Sequence, residues 1–92
     1  MGTIAATGDL DLATVDVLEA EVDEAARRGD DPIVLDLSRL DFMDSSGAHL
    51  LVRLRERYGP ERLRVRGPVG RVRKVLEMLD LSSLLGPPIV GG

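Results

Sequence analysis

The run Ile33-Val34-Leu35-Asp36-Leu37 constrains the fold of this chain more than any other stretch. A strand with one face in water alternates apolar and polar residues, whereas this run is apolar almost throughout. Such runs are typical of strands that are buried on both faces, as in parallel sheets. We therefore predict that residues 33–37 form a buried strand of an α/β protein.

Strand and helix patterns alternate on both sides of this run. An apolar stripe with spacings of three and four predicts the first helix, and it comprises Val15, Leu18, Val22 and Ala25. A strand comes before that helix and ends at Gly8-Asp9, and residues 38–43 form a partly extended connection. The predicted order is strand, helix, strand, helix, strand, helix, over residues 3–7, 13–28, 33–37, 46–58, 63–66 and 69–79.

This order predicts parallel strands joined by right-handed crossovers in a single domain over residues 1–92. Strand 63–66 alternates apolar and basic residues, which is typical of a sheet edge. In helix 46–58, Leu50 and Leu51 are adjacent, so we expect one of them to leave the core and extend an exposed surface. Residues 81–85 are predicted to form a turn or short helix, and residues 87–90 an extended tail.

Several functional classes are disfavoured by the composition. The chain has no Cys, which excludes a disulfide framework and a thiol nucleophile. It has no apolar run of the roughly 20 residues that a membrane span needs and no calcium-loop pattern. We therefore expect a cytoplasmic protein without membrane insertion, bound metal or cofactor.

The charge is unevenly distributed. Residues 1–50 hold twelve Asp and Glu against three Arg, a net of −9, whereas residues 51–92 hold four acids against nine Arg and Lys, a net of +5. Such polarity is compatible with an oriented docking surface or with solvated charges alone. With an overall charge of −4 and Tyr58 as the only aromatic residue after position 50, we do not expect nucleic-acid binding.

The polar turn Asp44-Ser45-Ser46-Gly47 lies between strand 33–37 and the second helix. Functional residues of α/β sheets gather at the carboxyl ends of strands, but any helix start also needs a capping residue. Two hydroxyl groups beside a carboxylate exceed what a cap requires. Gly47 is a poor helix former, and its missing side chain would let a partner's backbone or a phosphate approach closely.

A serine hydrolase is disfavoured at this turn. The sequence departs from the G-x-S-x-G pattern of a nucleophile elbow. The single histidine, His49, lies one helical turn from Ser45, where it is poorly placed to act as an oriented base, so we expect a surface role. The segment 67–71 lacks the Lys-Ser/Thr of a phosphate-binding loop and is interpreted as a plain loop.

The chain resembles the STAS domain family, and within it the anti-sigma factor antagonists. The resemblance is carried by Gly8-Asp9-Leu10-Asp11 before the first helix and by the block over residues 36–47, which reads D-L-S-x(3)-F-M-D-S-S-G. It extends from about residue 3 to 85. It implies a mixed, mostly parallel sheet with helices packed on one face, and members of the family are not enzymes.

The resemblance also implies a partner-switching function. A family member binds an anti-sigma factor that is itself a serine kinase, and this binding releases a sigma factor. The kinase phosphorylates the serine that corresponds to Ser45, and a PP2C-type phosphatase reverses the reaction. Ser46 is then the better candidate for the helix cap. The implied partner-binding residues are Asp9, Asp11, Asp44, Ser45, Ser46, Gly47 and Leu50. We expect the acidic segment 8–11 to lie near the same end of the sheet as the polar turn.

Two further expectations follow from the resemblance. Family members usually begin with one more strand, for which this chain has no room, so either its start is misassigned or the sheet has an open edge. An open edge predicts a homodimer paired through that edge. STAS domains also serve as stress-complex scaffolds and as subunits of ABC lipid-transport systems. A docking role without a phosphorylation cycle therefore stays open as an alternative.

Overall fold

The computed structural model describes residues 2–81, and these confirm the predicted alternation of strands and helices. The elements are β1 (Gly2–Leu10), α1 (Val15–Arg27), β2 (Ile33–Met43), α2 (Ser45–Arg62), β3 (Leu63–Arg66) and α3 (Gly70–Met78). Most of the turn predicted at 81–85, and all of the tail predicted at 87–90, lie outside the described residues.

The sheet has the order β1-β2-β3, and both pairings are parallel. The predicted buried strand is therefore the central one, and β3 lies at an edge of the described sheet. Ile33, Leu35 and Leu37 are fully buried on one face of β2, and Val34 is 7% exposed on the other. The resemblance implied a mixed, mostly parallel sheet, and the pairings among residues 2–81 are all parallel.

Two strands are longer than predicted. β1 continues through Gly8-Asp9 to Leu10, and β2 continues through residues 38–43, which we had predicted to be a partly extended connection. The register shifts between Ala5 and Thr7 and again between Gly8 and Asp9. Each shift is a local irregularity in the ladder, and the pairing of β1 with β2 resumes after it.

The core lies between the sheet and the helices, whose buried residues belong to one cluster on one sheet face. The predicted stripe of α1 is confirmed. The expectation that Leu50 or Leu51 leaves the core is wrong, because both side chains are 0% exposed. Both belong to the one core cluster. The helix breaks at Gly59 (φ 84), close to the predicted end.

A polar cluster ties α1 to α2. The Arg57 guanidinium donates to both carboxylate oxygens of Asp23 at 2.8 and 3.0 Å and to Glu19 at 2.8 Å, and the Tyr58 hydroxyl also donates to Asp23. The Tyr58 hydrogen bond is the main cause that holds the pKa of Asp23 below its ordinary value. These contacts join the later turns of α2 to α1.

Candidate functional site

The Asp-Ser-Ser-Gly turn lies at the carboxyl ends of β1 and β2. In the parallel ladder Asp9 pairs with Phe42 and Leu10 with Met43. The Asp44 amide then donates to the Leu10 carbonyl at 3.2 Å. The prediction that the acidic segment 8–11 lies at the same end of the sheet as this turn is therefore confirmed.

Asp44 is the N-cap of α2. One of its carboxylate oxygens, Oδ1, accepts hydrogen bonds from the amides of Ser46 at 2.8 Å and Gly47 at 3.2 Å. Our assignment of Ser46 as the cap is wrong, because Ser46 is the second residue of the helix. The extended backbone of Asp44 (φ −104, ψ −172) places its carboxylate within hydrogen-bond distance of the amides in the first turn of α2, as an N-cap requires.

The two serines differ in accessibility. Ser45 is exposed and is the first residue of α2, whereas Ser46 is half-buried. Since Asp44 already satisfies two amides of the first turn, the Ser45 hydroxyl is not needed for capping. The partial positive charge of a helix N-terminus favours an anion at that position. Ser45 can therefore be modified without loss of the cap.

Gly47 has a different role from the one predicted. It is buried, and an added Cβ would lie 2.7 Å from the Leu10 carbonyl oxygen and 2.8 Å from Met43 Cγ. The missing side chain makes room for the end of β1 and not for a partner. Gly47 and Leu50 are both buried next to the turn. We therefore no longer count either of them among the predicted partner-binding residues.

The two aspartates of segment 8–11 also differ. The Asp11 carboxylate accepts from the Ala13 amide at 3.0 Å, and the Thr14 hydroxyl donates to the Asp9 carbonyl at 2.8 Å, so this turn is internally bonded. Asp9 is exposed, and no residue among 2–81 forms a hydrogen bond with its carboxylate. Asp9 is therefore free to contact a partner, while Asp11 shapes the turn.

Two exposed apolar residues border the turn and were missed from the sequence. Phe42 is 40% exposed and pairs with Asp9 in the ladder. Leu12, two residues after the end of β1, is 76% exposed. The signal for Phe42 was its place beside Met43, because neighbouring strand residues face opposite sides of the sheet and Met43 is the one that faces the core. We call the group Asp9, Leu12, Phe42, Asp44 and Ser45 the switch surface.

Two kinds of feature are absent from residues 2–81. No group of three or more His, Cys, Asp or Glu side chains in this range is placed to hold a metal ion. No helix in the same range has the length and apolar character needed to cross a membrane. His49 is exposed, as expected.

A parallel sheet with helices on one face and an Asp-Ser-Ser-Gly turn at its carboxyl edge defines a STAS-type α/β domain. A family model described as "Mlab, STAS domain" matches residues 1–87, and the chain belongs to this family. STAS domains form a non-enzymatic regulatory family. No match was found among the curated proteins.

A solved structure identifies the group within the family. The chain is similar to the anti-sigma factor antagonist SpoIIAA in its unphosphorylated form, with 31% sequence identity and a TM-score of 0.69. The match covers 89% of this chain and 74% of SpoIIAA. The chain is thus a STAS domain protein of the anti-sigma factor antagonist group.

Proposed function

We propose that this protein is an anti-sigma factor antagonist switched by phosphorylation of Ser45. In its unphosphorylated form it binds a cognate anti-sigma serine kinase in the cytoplasm, and that binding releases a sigma factor. A PP2C-type phosphatase restores the active form. The observation that carries the proposal is the exposed Ser45 at the start of α2 in a chain 31% identical to SpoIIAA.

Accessibility supports Ser45 over Ser46 as the acceptor. A kinase must bring the hydroxyl in line with a nucleotide phosphate, which an exposed residue allows. Ser46 is half-buried, and its amide is bonded to Asp44 at 2.8 Å. Ser46 is therefore less accessible to a kinase than Ser45.

Electrostatics explains how the modification would end binding. A phosphate adds roughly −1.5 to −2 charges next to Asp44. Two unit charges 4 Å apart interact by about 4 kcal/mol at an effective dielectric of about 20. In the free protein, water and the helix N-terminus offset this repulsion. A partner packed against the switch surface removes the water, and a penalty of about 2.7 kcal/mol weakens binding roughly 100-fold.

The composition of the switch surface indicates the partner's chemistry. Exposed apolar side chains at Leu12 and Phe42 offer contact area, and Asp9 offers an unpaired carboxylate. A complementary surface on the kinase would carry apolar residues with a basic residue beside them. This combination does not suit nucleic acid.

The first experiment measures binding of the cognate kinase by calorimetry. We expect Ser45→Asp to weaken binding at least about 100-fold, whereas Ser45→Ala binds as the unmodified protein does and resists inactivation by ATP. Ser46→Ala is the matched control and should still be phosphorylated. Phosphate found by mass spectrometry on Ser46 alone would contradict the site assignment.

A second experiment tests the acidic segment. Asp9→Asn should weaken kinase binding, because it removes an exposed charge without touching a hydrogen bond within residues 2–81. Asp11→Asn retains an acceptor oxygen for the turn and should change affinity less. Equal affinity of the Asp9 variant and the wild type would exclude Asp9 from the interface.

The description of the matching family model favours a second candidate. It names Mlab, and a STAS subunit of an ABC lipid-transport system would use the same surface to dock an ATPase subunit without a phosphorylation cycle. A stress-complex scaffold would likewise need no cycle. One result distinguishes the two functions. If the docking role is correct, incubation with the kinase and ATP leaves Ser45 unmodified.

A further inference from the structure

The switch surface continues onto the face of the sheet that points away from the core. Leu10 and Met43 belong to the core cluster, so their neighbours Asp9 and Phe42 point to the opposite face. These two residues pair across the ladder, and both are exposed. We call the face that carries them the outer face of the sheet. A partner that contacts Phe42 must therefore lie over the outer face.

The next row of the outer face carries Thr7 and Arg39. These residues pair in the register of β1 with β2, and both side chains are exposed. Their neighbours Ala6 and Leu40 belong to the core cluster, as expected if Thr7 and Arg39 point outward. Arg39 is three residues from Phe42, or about 10 Å along the strand. A guanidinium group thus lies on the same face as Phe42 and close to it.

The Arg39 side chain has no partner within residues 2–81. No residue in this range forms a hydrogen bond or an ion pair with it. The acidic residue of the adjoining row, Asp36, instead accepts a hydrogen bond from the Ser38 amide at 2.9 Å. Across the ladder Asp36 pairs with Arg66. The N–H donors of the Arg39 guanidinium are therefore available to a group outside this range.

The size of a stable interface brings Arg39 into the contact area. Stable complexes bury about 800 Å² on each partner, which corresponds to a circular patch with a radius of roughly 16 Å. Aromatic residues are enriched in the centres of interfaces, and a patch centred on Phe42 includes Arg39. Arg64 pairs with Val34, eight residues from Phe42, and so lies about 26 Å away. Arg64 is therefore on the same face but outside the patch.

A partner that covers Arg39 has to supply an anionic group there. A guanidinium that loses its water needs both hydrogen-bond acceptors and an opposite charge in return. A carboxylate provides both, since it accepts two parallel N–H bonds. A uniformly anionic surface, such as nucleic acid or an acidic membrane, would also meet Asp9 and Asp44 and be repelled. The pattern of charges fits a protein that carries single acidic and basic residues at separate points.

We propose that the cognate partner extends over the outer face and binds Arg39 through an Asp or Glu side chain, next to its contact with Phe42. This contact rests on the proposed function, because the partner is the anti-sigma kinase that the switch surface binds. It adds a chemical requirement that the phosphorylation site does not contain. Arg39 selects a kinase with an acidic residue at this point over one without it.

Zero-length cross-linking identifies the kinase residue directly, because the chain has a single lysine, Lys74. A carbodiimide joins a lysine amine to a carboxylate that touches it. Arg39→Lys keeps the positive charge and places such an amine on the outer face. Mixed with the cognate kinase, this variant should form a cross-link from position 39 to an Asp or Glu of the kinase, mapped by mass spectrometry. Arg64→Lys is the matched control and should form no cross-link to the kinase from position 64.

Calorimetry measures how much the contact contributes to affinity. Arg39→Glu reverses the charge and should weaken kinase binding at least about tenfold, whereas Arg39→Lys should lose less. Arg64→Glu should bind within about twofold of the wild type, because charges farther apart than about 10 Å are largely screened at about 0.1 M salt. Since Arg39 has no hydrogen bond or ion pair within residues 2–81, its variants should unfold at the same urea concentration as the wild type. Equal midpoints exclude misfolding as the cause of weaker binding.

Ser45→Asp in the same assay distinguishes this contact from the proposed switch. If Ser45→Asp abolishes kinase binding while Arg39→Glu binds as the wild type does, the switch is supported and the Arg39 contact is excluded. If Arg39→Glu weakens binding and Ser45→Asp does not, the contact is supported and the switch is excluded. A cross-link from position 64 but none from position 39 would also overturn the proposal. A kinase that does not bind the wild type overturns both.

Discussion

Replacement of Gly47 by alanine separates two explanations of the Asp-Ser-Ser-Gly turn. If Gly47 leaves room for a partner, Gly47→Ala weakens binding and leaves stability unchanged. If it leaves room for β1, the substitution destabilises the protein even when no partner is present. The structure supports the second explanation, because Gly47 is buried under the turn.

The magnitude follows from the contacts of the added Cβ. It would lie 2.7 Å from the Leu10 carbonyl oxygen, 2.8 Å from Met43 Cγ and 2.9 Å from Leu10 Cγ. Met43 is flexible, but the carbonyl belongs to β1 and also accepts the Asp44 amide at 3.2 Å. Overpacking of a core costs about 1–3 kcal/mol, and replacing glycine inside a helix returns about 0.5–1 kcal/mol.

We therefore expect Gly47→Ala to lower the free energy of unfolding by about 1–2 kcal/mol. For a domain of this size the melting temperature falls by roughly 4–16 °C. Urea unfolding followed by circular dichroism measures the difference. His49→Ala, at the exposed position two residues further along α2, is the control and should stay within about 0.5 kcal/mol of the wild type. A Gly47→Ala protein as stable as the wild type would refute the reasoning.

Two further predictions concern the elements that hold the turn. Asp44→Ala should destabilise the protein by about 0.5–2 kcal/mol in urea unfolding, because it removes the N-cap, whereas Asp44→Asn keeps an acceptor oxygen and should lose much less. Tyr58→Phe should lower stability at neutral pH by about 1 kcal/mol, since a hydrogen bond to the Asp23 carboxylate is lost. That hydrogen bond lowers the pKa of Asp23 from 3.8, so its contribution is present above this pH and disappears as the pH falls through the lower folded-state pKa. Unfolding curves of wild type and Tyr58→Phe should therefore converge below pH 3.8, and a constant gap down to the most acidic pH would contradict the assignment.

The main features of the candidate site were predictable because they are local. Asp44, Ser45 and Ser46 stand between a buried strand and an amphipathic helix, and that context alone locates a helix start at the carboxyl edge of a parallel sheet. The position of the acidic segment 8–11 followed from the same rule, since parallel strands end at a common edge. Both predictions needed only the order of the elements.

The roles within the site were not predictable in the same way. Asp44, not Ser46, caps α2, because the choice depends on the backbone angles of the residue before the helix. Gly47 and Leu50 proved to be buried, and Phe42 and Leu12 proved to be exposed. Each of these outcomes depends on which face of an element meets another element, a property that no short window of sequence contains.

The sequence by itself determined the order of strands and helices, the burial of residues 33–37 and the inner stripe of α1. These are consequences of hydrophobic periodicity, which acts over a few neighbouring residues. Only the tertiary structure decided that β1 extends to Leu10, where its carbonyl receives the Asp44 amide and excludes a side chain at Gly47. Those contacts join residues more than thirty positions apart, and their geometry exists only once the sheet has formed.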